Sequence, residues 1–193
     1  MTTANKITIL RVLLVPYFVV QLLYYFASGD EMDRVLAMLA FAVASILDGV
    51  DGYIARRYNQ RSELGAMLDP LADKLLLVSA LILLSLYKQD EITRIPTWMT
   101  ATVLSRDLIL ILGMTVIYYT VGKTKVKPRL VGKVATFLQM VTVVWAILKW
   151  DEHWLVGWSA AAAIFTAISG LCYVRDGIKR LGQSPASLPD HFS

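Results

Sequence analysis

Cysteine and histidine are the rarest sources of chemistry in this sequence. The chain has one cysteine, Cys172, and two histidines, His153 and His191. One cysteine excludes an intramolecular disulfide framework, and two histidines leave little for a zinc site or a histidine-activated nucleophile. Any chemistry must therefore come from carboxylates, hydroxyl groups or the basic side chains of lysine and arginine.

Charged residues are also scarce. They make up 18% of the 193 residues, whereas apolar residues make up 56% and the mean hydropathy is +0.56. A soluble domain typically carries about 25% charged residues, so lipid is the expected surrounding for most of the chain. Apolar windows predict about six spans, at 6–27, 33–57, 66–88, 96–121, 130–149 and 154–180. We expect an all-α integral membrane protein, a bundle of about six transmembrane helices with a polar cavity open to the cytoplasmic side.

The length favours a single domain. We predict one transmembrane domain over 1–182 and a flexible C-terminal tail over 183–193, which contains two prolines. The first window is expected to stay as a membrane helix and not to be a cleaved signal peptide. Its apolar run continues to Phe26, and no Ala-x-Ala cleavage site follows.

Charge is distributed unevenly among the predicted turns. Taken together, the turns near 28–34, 88–95 and 149–153 hold more acidic than basic residues, whereas basic residues gather at 56–61, 123–133 and 175–180. Because basic loops tend to stay in the cytoplasm, the termini and the loops after spans two and four are predicted to face it. We expect a multi-pass protein of the inner, cytoplasmic membrane with its site facing the cytoplasm. The pI near 9.2 suits anionic headgroups and substrates, and no nucleic-acid-binding module is recognisable.

Four aspartates lie where the second span ends and the third begins: Asp48, Asp51, Asp69 and Asp73. Spacings of three and four place each pair on one helical face, and a short turn would bring the two faces together. Acids within a span cost roughly 2.5–3.5 kcal/mol each on insertion scales, so they call for a partner or a function. Four converging carboxylates would repel one another unless cations were bound. Their oxygen ligands suit hard ions, Mg²⁺ first and then Mn²⁺ or Ca²⁺.

A structural interpretation stays open for each acid taken singly. Asp69 precedes Pro70 and can cap a helix, and Asp48 or Asp73 can form an ion pair with Arg56 or Lys74. Helix caps do not require pairs of acids on two facing helices, so the set of four favours a metal site.

The spacing of the acids carries further information. Residues 48–73 read D-x2-D-G-x2-A-R-x8-G-x3-D-x3-D. This pattern resembles the motif of the CDP-alcohol phosphotransferase family at every fixed position. The resemblance implies transfer of a phosphatidyl group from a CDP-linked lipid, CDP-diacylglycerol, to an alcohol, with release of CMP. It also implies two Mg²⁺ ions, or Mn²⁺ in their place.

The resemblance further implies a role for each matching residue. Asp48 and Asp69 would bridge both metals, and Asp51 would complete one of them. Asp73 would complete the other and accept the proton of the acceptor hydroxyl. The expected contacts or packing residues for the CDP-lipid are Asn5, Thr8, Gly52, Ala55, Arg56, Ser62 and Gly65. Asn5 and Thr8 belong to an N-x2-T-x2-R pattern that resembles family members making phosphatidylglycerophosphate, although capping of the first helix would also explain them.

A second basic group is expected to hold the acceptor alcohol. Arg106 lies inside the fourth span, where it is costly unless it pairs with Asp107 or faces a polar cavity. Arg106 and Lys133 are the first predicted contacts for an acceptor phosphate, with Arg129 next. Topology alone is the alternative explanation for the basic residues of the loop 123–133.

Residues 132–139 read G-K-V-A-T-F-L-Q and resemble the G-K-x2-T-x2-Q segment of family members that make phosphatidylglycerophosphate. Ala135 stands where a lysine is usual and Asp107 where a glutamate is usual, and both departures resemble the CMP-forming cardiolipin synthases. On the resemblance of the whole segment, the leading acceptor is glycerol 3-phosphate. Phosphatidylglycerol follows because of the two departures, and inositol phosphate is third.

An ion-coupled transporter is the alternative from another functional class, because transporters also place acids within spans. Their sites usually lie near the bilayer midplane between internal repeats, whereas these four acids lie at span ends and no repeat is evident. The family resemblance implies a homodimer in which each protomer holds its own site, with membrane lipids around it.

Overall fold

The computed structural model describes residues 3–57, 63–87, 92–121 and 130–181. Within these ranges there are six α-helices and no β-strand. The helices are α1 Thr3–Ser28, α2 Glu31–Arg57, α3 Glu63–Leu86, α4 Thr97–Val121, α5 Leu130–Ile147 and α6 Glu152–Leu181. Each coincides with one predicted span to within a few residues, which confirms the all-α prediction.

In the described ranges, four helices contain a segment long and apolar enough to cross a membrane. These segments are Ile7–Ser28, Thr97–Ile117, Leu130–Ile147 and Glu152–Ile178. The chain is therefore a multi-pass membrane protein. The other two helices, α2 and α3, carry the four aspartates, and in α2 the uncharged stretch runs only from residue 35 to residue 47.

The chain divides into two compact units. One comprises Met1–Ile95 with Val143–Leu155, and the other comprises Pro96–Thr142 with Val156–Ser193. The first unit contains α1, α2, α3 and the turn between α5 and α6. The second unit contains α4 and the greater parts of α5 and α6. The predicted tail 183–193 lies outside the described residues, so the domain boundary at residue 182 stays a prediction.

Within the first unit, α1 packs against both α2 and α3. Phe18 of α1 and Phe41 of α2 are buried, and their ring centroids lie 5.6 Å apart. Ala37 and Ala44 of α2 are fully buried near this pair along the same helix. Small side chains let the backbones of neighbouring membrane helices approach closely. This packing fixes the register of α1 against its two neighbours.

A tight turn joins α1 to α2. Gly29 has a φ of 73°, a left-handed conformation that glycine adopts without strain, and its N–H donates to the carbonyl of Tyr25 at 2.8 Å. The Asp30 carboxylate then accepts a hydrogen bond of 2.9 Å from the N–H of Met32, which caps the start of α2. Glycine and aspartate at these positions therefore set where one helix ends and the next begins.

Ion pairs connect the start of α2 to the end of α5, also within the first unit. Glu31 pairs with Lys149 and with Arg34, and Arg34 donates a hydrogen bond of 2.7 Å to the carbonyl of Ile147. The bond from Lys149, followed by that from Arg34, lowers the pKa of Glu31 below its ordinary 4.5. The last carbonyl of α5 is thus satisfied by a side chain of α2.

Candidate active site

A buried arginine of α1 brings together two of the predicted metal ligands. The Arg11 side chain is 1% exposed. Its Nη1 donates a hydrogen bond to Oδ1 of Asp48 in α2 and lies 3.5 Å from Oδ1 of Asp73 in α3. A guanidinium inside a membrane span stays charged and needs anionic partners. One cation and two carboxylates from three helices therefore meet at this point.

Both carboxylates keep part of their surface open. The side chain of Asp48 is 39% exposed and that of Asp73 is 34% exposed, whereas that of Arg11 is buried. Oxygen donors of this kind are the ligands that hard divalent cations prefer. The two described aspartates therefore carry the type of oxygen donor that Mg²⁺ or Mn²⁺ binds.

The other two predicted metal ligands are placed only by their helices. Asp51 lies in α2 one turn beyond Asp48, and Asp69 lies in α3 one turn before Asp73. The side chains of residues 50–70 lie outside the described part of the chain. Among the side chains that are described, no group of three or more acidic, histidine or cysteine residues could hold a metal. The structure thus describes two of the four aspartate side chains, and the cluster of all four stays a prediction.

Most of the residues predicted to contact the CDP-lipid lie within 50–70, where side chains are not described. Gly52, Ala55 and Arg56 belong to α2, Gly65 belongs to α3, and Asn5 belongs to α1, but their side-chain surroundings are not described. Ser62 lies outside the described residues. These residues keep their predicted roles as expectations.

Thr8 is the CDP-lipid candidate whose side chain is described. It is 1% exposed and lies one helical turn before Arg11, so the two side chains share a face of α1. The N-x2-T-x2-R pattern thus has helical spacing, and its last residue is the arginine that contacts Asp48 and Asp73. Sequence reasoning gave Arg11 no role. The signal was a charged residue inside an otherwise apolar span.

The second unit holds the predicted acceptor-binding arginine. Arg106 of α4 donates from Nη1 to the Asp107 carboxylate at 2.7 Å and from Nη2 to the Ser169 hydroxyl of α6 at 3.1 Å. Of the two alternatives that the sequence leaves for Arg106, pairing with Asp107 or facing a polar cavity, the structure shows the pairing. Ser169 was not predicted, because nothing in the sequence relates it to a residue 63 positions earlier.

Two glycines make room for the Arg106 side chain. A Cβ atom at Gly132 of α5 would lie 3.3 Å from Arg106 Nη2 and from Ser169 Oγ, and one at Gly170 would lie 3.3 Å from Arg106 Cγ. The guanidinium carbon also lies 5.7 Å from the centre of the Tyr173 ring, within cation–π range. Glycine at both positions therefore lets the arginine fit between α4, α5 and α6.

The remaining acceptor candidates are less closely placed. Lys133 follows Gly132 in the first turn of α5, and its side chain is exposed. Arg129 lies outside the described residues. The structure therefore places Arg106 beside the backbone of the G-K-x2-T-x2-Q segment.

The last residue of that segment has a structural contact. Gln139 is 4% exposed, and its Nε2 donates a hydrogen bond of 2.8 Å to the Thr166 hydroxyl of α6. Thr166 in turn donates to the carbonyl of Ala162 at 2.7 Å. Gln139 therefore joins α5 to α6 within the second unit.

The two clusters have different chemical capacities. The partly exposed pair Asp48 and Asp73 offers oxygen ligands for a cation and an acceptor for a proton. Arg106, oriented by Asp107 and Ser169, offers the planar donor geometry that suits a phosphate. Both groups of atoms suit chemistry on phosphorylated substrates.

Known proteins resemble this chain over most of its length. Residues 1–170 match the family model described as CDP-alcohol phosphatidyltransferase. A probable phosphatidylglycerophosphate synthase of Mycobacterium tuberculosis is 37% identical over 183 residues, covering 93% of this chain and 83% of the relative.

Two further relatives carry a more explicit name, CDP-diacylglycerol--glycerol-3-phosphate 3-phosphatidyltransferase. The protein from Escherichia coli is 34% identical over 172 residues, covering 87% of this chain and 90% of the relative. The protein from Bacillus subtilis is 33% identical over 183 residues, covering 88% and 91%. Since the family match includes both the aspartates beside Arg11 and the arginine beside Ser169, the chain belongs to the CDP-alcohol phosphatidyltransferase family.

Proposed function

We propose that this chain transfers a phosphatidyl group from CDP-diacylglycerol to sn-glycerol 3-phosphate, giving phosphatidylglycerophosphate and CMP. The observation that carries the proposal is the convergence of Asp48 and Asp73, the first and last acids of the motif, beside Arg11. The names of the relatives from Escherichia coli and Bacillus subtilis support the choice of acceptor.

The proposed cofactor is a pair of Mg²⁺ ions, or Mn²⁺ in their place. Its proposed ligands are Asp48, Asp51, Asp69 and Asp73. The partial exposure of Asp48 and Asp73 supports this assignment, because exposed carboxylates are accessible to a cation. When bound, two such ions would offset the charge of the pyrophosphate and of the departing CMP phosphate.

Asp73 is the proposed catalytic base. It would accept the proton of the glycerol 3-phosphate hydroxyl as that oxygen forms its bond to the phosphatidyl phosphorus. The bond between this phosphorus and the CMP oxygen breaks, and CMP leaves with the electron pair. The contact with Arg11 supports the role of Asp73, since a base must be held in a fixed position to act within the lifetime of the bound substrates.

The CDP-lipid is proposed to lie against α1, α2 and the start of α3. Asn5, Thr8, Gly52, Ala55, Arg56, Ser62 and Gly65 are its proposed contact and packing residues. Support comes from Thr8, which shares the face of α1 that carries Arg11. A hydroxyl at this position can accept a hydrogen bond from a cytidine base or donate one to it.

The acceptor phosphate is proposed to bind Arg106, with Lys133 and Arg129 as further contacts. Arg106 has its orientation fixed by bonds to two other side chains, which supports a directional contact with phosphate oxygens. Lys133 is exposed in the first turn of α5, directly after the glycine that Arg106 approaches.

The site is proposed to open through a polar cavity to the cytoplasmic side of the inner membrane. The basic loops around 56–61 and 123–133 support this orientation. A homodimer surrounded by membrane lipids, with one site in each protomer, is proposed on the family relationship alone.

The test supplies the full chain, purified in detergent, with CDP-diacylglycerol, Mg²⁺ and one acceptor at a time. Glycerol 3-phosphate is expected to give CMP and phosphatidylglycerophosphate, and excess EDTA is expected to stop the reaction. CMP release with phosphatidylglycerol or inositol phosphate, but not with glycerol 3-phosphate, would replace the proposed acceptor. If none of the acceptors gives CMP, the result would contradict the phosphotransferase proposal and favour the alternative of an ion-coupled transporter.

A further inference from the structure

Arg11 stands out among the described residues because a charged side chain is buried where α1, α2 and α3 meet. It is 1% exposed and contacts one carboxylate on each of the two neighbouring helices. Burying a guanidinium in this way is unfavourable unless opposite charges surround it. The burial of Arg11 therefore depends on its contacts with Asp48 and Asp73.

Arg11 and its two partners differ in exposure. The Arg11 side chain is 1% exposed, whereas Asp48 and Asp73 keep 39% and 34% of their side-chain surface exposed, and Arg11 contacts the Oδ1 atom of each. A carboxylate has two oxygens with about four lone-pair directions, so it can contact a guanidinium and a metal ion together. Arg11 can therefore stay in place when cations bind the same carboxylates.

The positive charge of Arg11 offsets the repulsion between the two carboxylates. Asp48 and Asp73 both approach the same Nη1 atom, so their negative charges lie close together. Without bound cations, the guanidinium of Arg11 is a positive charge in direct contact with both carboxylates, and it offsets part of this repulsion. With cations bound, much of the compensation comes from them, and the guanidinium contributes less.

We infer that Arg11 is a positioning residue that holds Asp48 and Asp73 together in the cation-free protein. Its positive charge offsets the repulsion between the two carboxylates, as bound divalent cations would. This inference rests on the proposed metal site, and it adds a residue from α1 to the motif carried by α2 and α3. It makes the cost of losing Arg11 depend on whether cations are present.

The experiment measures the apparent melting temperature of the full chain in detergent, once in EDTA and once in saturating Mn²⁺ at the same ionic strength. Intrinsic tryptophan fluorescence reports unfolding. The Arg11→Gln variant removes the charge but keeps a polar side chain. Its melting temperature is expected to fall by about 5–10 °C in EDTA, because a carboxylate pair loses its buried counter-charge. In Mn²⁺ the deficit is expected to be less than half as large.

The matched control is Arg34→Gln, in the same unit. Arg34 is also largely buried and ion-paired, but its partners are Glu31 and the carbonyl of Ile147. Its loss is expected to lower the melting temperature by the same amount in EDTA and in Mn²⁺. An Arg11→Gln deficit that is equal in the two conditions, or larger in Mn²⁺, overturns the inference.

Two further variants keep the test decisive. If Arg11→Gln does not fold, Arg11→Lys replaces it, because lysine keeps the charge but not the planar pair of donors. Its deficit is expected to be smaller and again to shrink in Mn²⁺; a deficit that does not shrink overturns the inference. Asp48→Asn is expected to weaken the Mn²⁺-induced stabilisation that the unsubstituted protein shows.

These outcomes separate the inference from the proposal beneath it. If Mn²⁺ does not raise the melting temperature of the unsubstituted protein, the proposed metal site fails, whatever Arg11 does. If Mn²⁺ stabilises the protein and Asp48→Asn reduces that effect, the metal site stands. The comparison of Arg11→Gln with Arg34→Gln then decides the role of Arg11 alone.

Discussion

The guanidinium of Arg106 in α4 donates a hydrogen bond to the hydroxyl of Ser169 in α6 over 3.1 Å. The same side chain donates to its neighbour Asp107 over 2.7 Å. Bonds from two helices restrict the directions in which the guanidinium can point. An acceptor phosphate bound at Arg106 should therefore be sensitive to changes that do not touch the phosphate itself.

Ser169→Ala is expected to weaken glycerol 3-phosphate binding without affecting the CDP-lipid. An intramolecular hydrogen bond contributes on the order of 1 kcal/mol, so the KM for glycerol 3-phosphate should rise about 3- to 10-fold. Steady-state CMP release at varied concentrations of each substrate measures both KM values. Ser159→Ala is the control, because Ser159 is buried in the same helix and its hydroxyl has no hydrogen bond within the described residues. An equal effect of the two substitutions would argue against the orientation of Arg106 by Ser169.

Gly132→Ala is expected to displace Arg106. The new methyl group would lie 3.3 Å from both Arg106 Nη2 and Ser169 Oγ, so both atoms must move by a few tenths of an ångström. We expect kcat/KM for glycerol 3-phosphate to fall about tenfold, corresponding to roughly 1.4 kcal/mol. Gly113→Ala and Gly157→Ala are matched controls, because a Cβ at either position meets nothing within 4 Å. Unchanged kinetics in Gly132→Ala would show that the arginine adapts to the methyl group.

Gln139→Leu is expected to reduce stability more than acceptor binding. Its amide reaches the Thr166 hydroxyl at 2.8 Å in a buried position, so the substitution removes a bond between α5 and α6. The expected loss is about 0.5–1.5 kcal/mol of unfolding free energy. A double-mutant cycle with Thr166→Val measures the coupling by thermal or denaturant unfolding. A large rise in the KM for glycerol 3-phosphate with unchanged stability would instead make Gln139 a substrate contact.

The pairing of Glu31 with Lys149 and Arg34 predicts a pH dependence of stability at the turn that joins α1 to α2. Because these bonds lower the pKa of Glu31 in the folded protein, its stabilising contribution is present above pH 4.5 and is lost as the pH falls through the lowered pKa. Glu31→Gln should therefore flatten the decline of the melting temperature with acid in this range. In a Lys149→Gln background the same substitution should change the pH profile less. Identical profiles with and without Glu31 would contradict the assignment.

Much of the fold follows from the sequence because membrane helices have a strong local pattern. Long apolar runs bounded by charge predicted six helices whose ends agree with the structure to within a few residues. The pairing of Arg106 with Asp107 was one of two alternatives that the sequence offered, because a charged residue in a span needs either a partner or a polar cavity. Both the helix positions and the neighbouring charges can be read from residues that are close together in the sequence.

The contacts of Arg11 and Ser169 could not be predicted in the same way. Arg11 contacts carboxylates 37 and 62 positions away, and Ser169 lies 63 positions beyond Arg106. Such pairs depend on the rotation and register of whole helices, which packing of residues such as Phe18 against Phe41 determines. The sequence indicated that a buried arginine needs partners, but not which helices supply them.

The most direct test of the proposed chemistry compares Asp73→Asn with Asp33→Asn in CMP release from CDP-diacylglycerol and glycerol 3-phosphate. Asp33 is a suitable control because it lies at the opposite end of α2 from Asp48, where it accepts a hydrogen bond from Ser28. We predict that Asp73→Asn lowers kcat at least about 10³-fold while the variant still folds and binds CDP-diacylglycerol, as expected for loss of a general base and metal ligand. Asp33→Asn should stay within about twofold of the unsubstituted protein. Turnover by Asp73→Asn close to that of the unsubstituted protein would contradict the central role given to the aspartates beside Arg11.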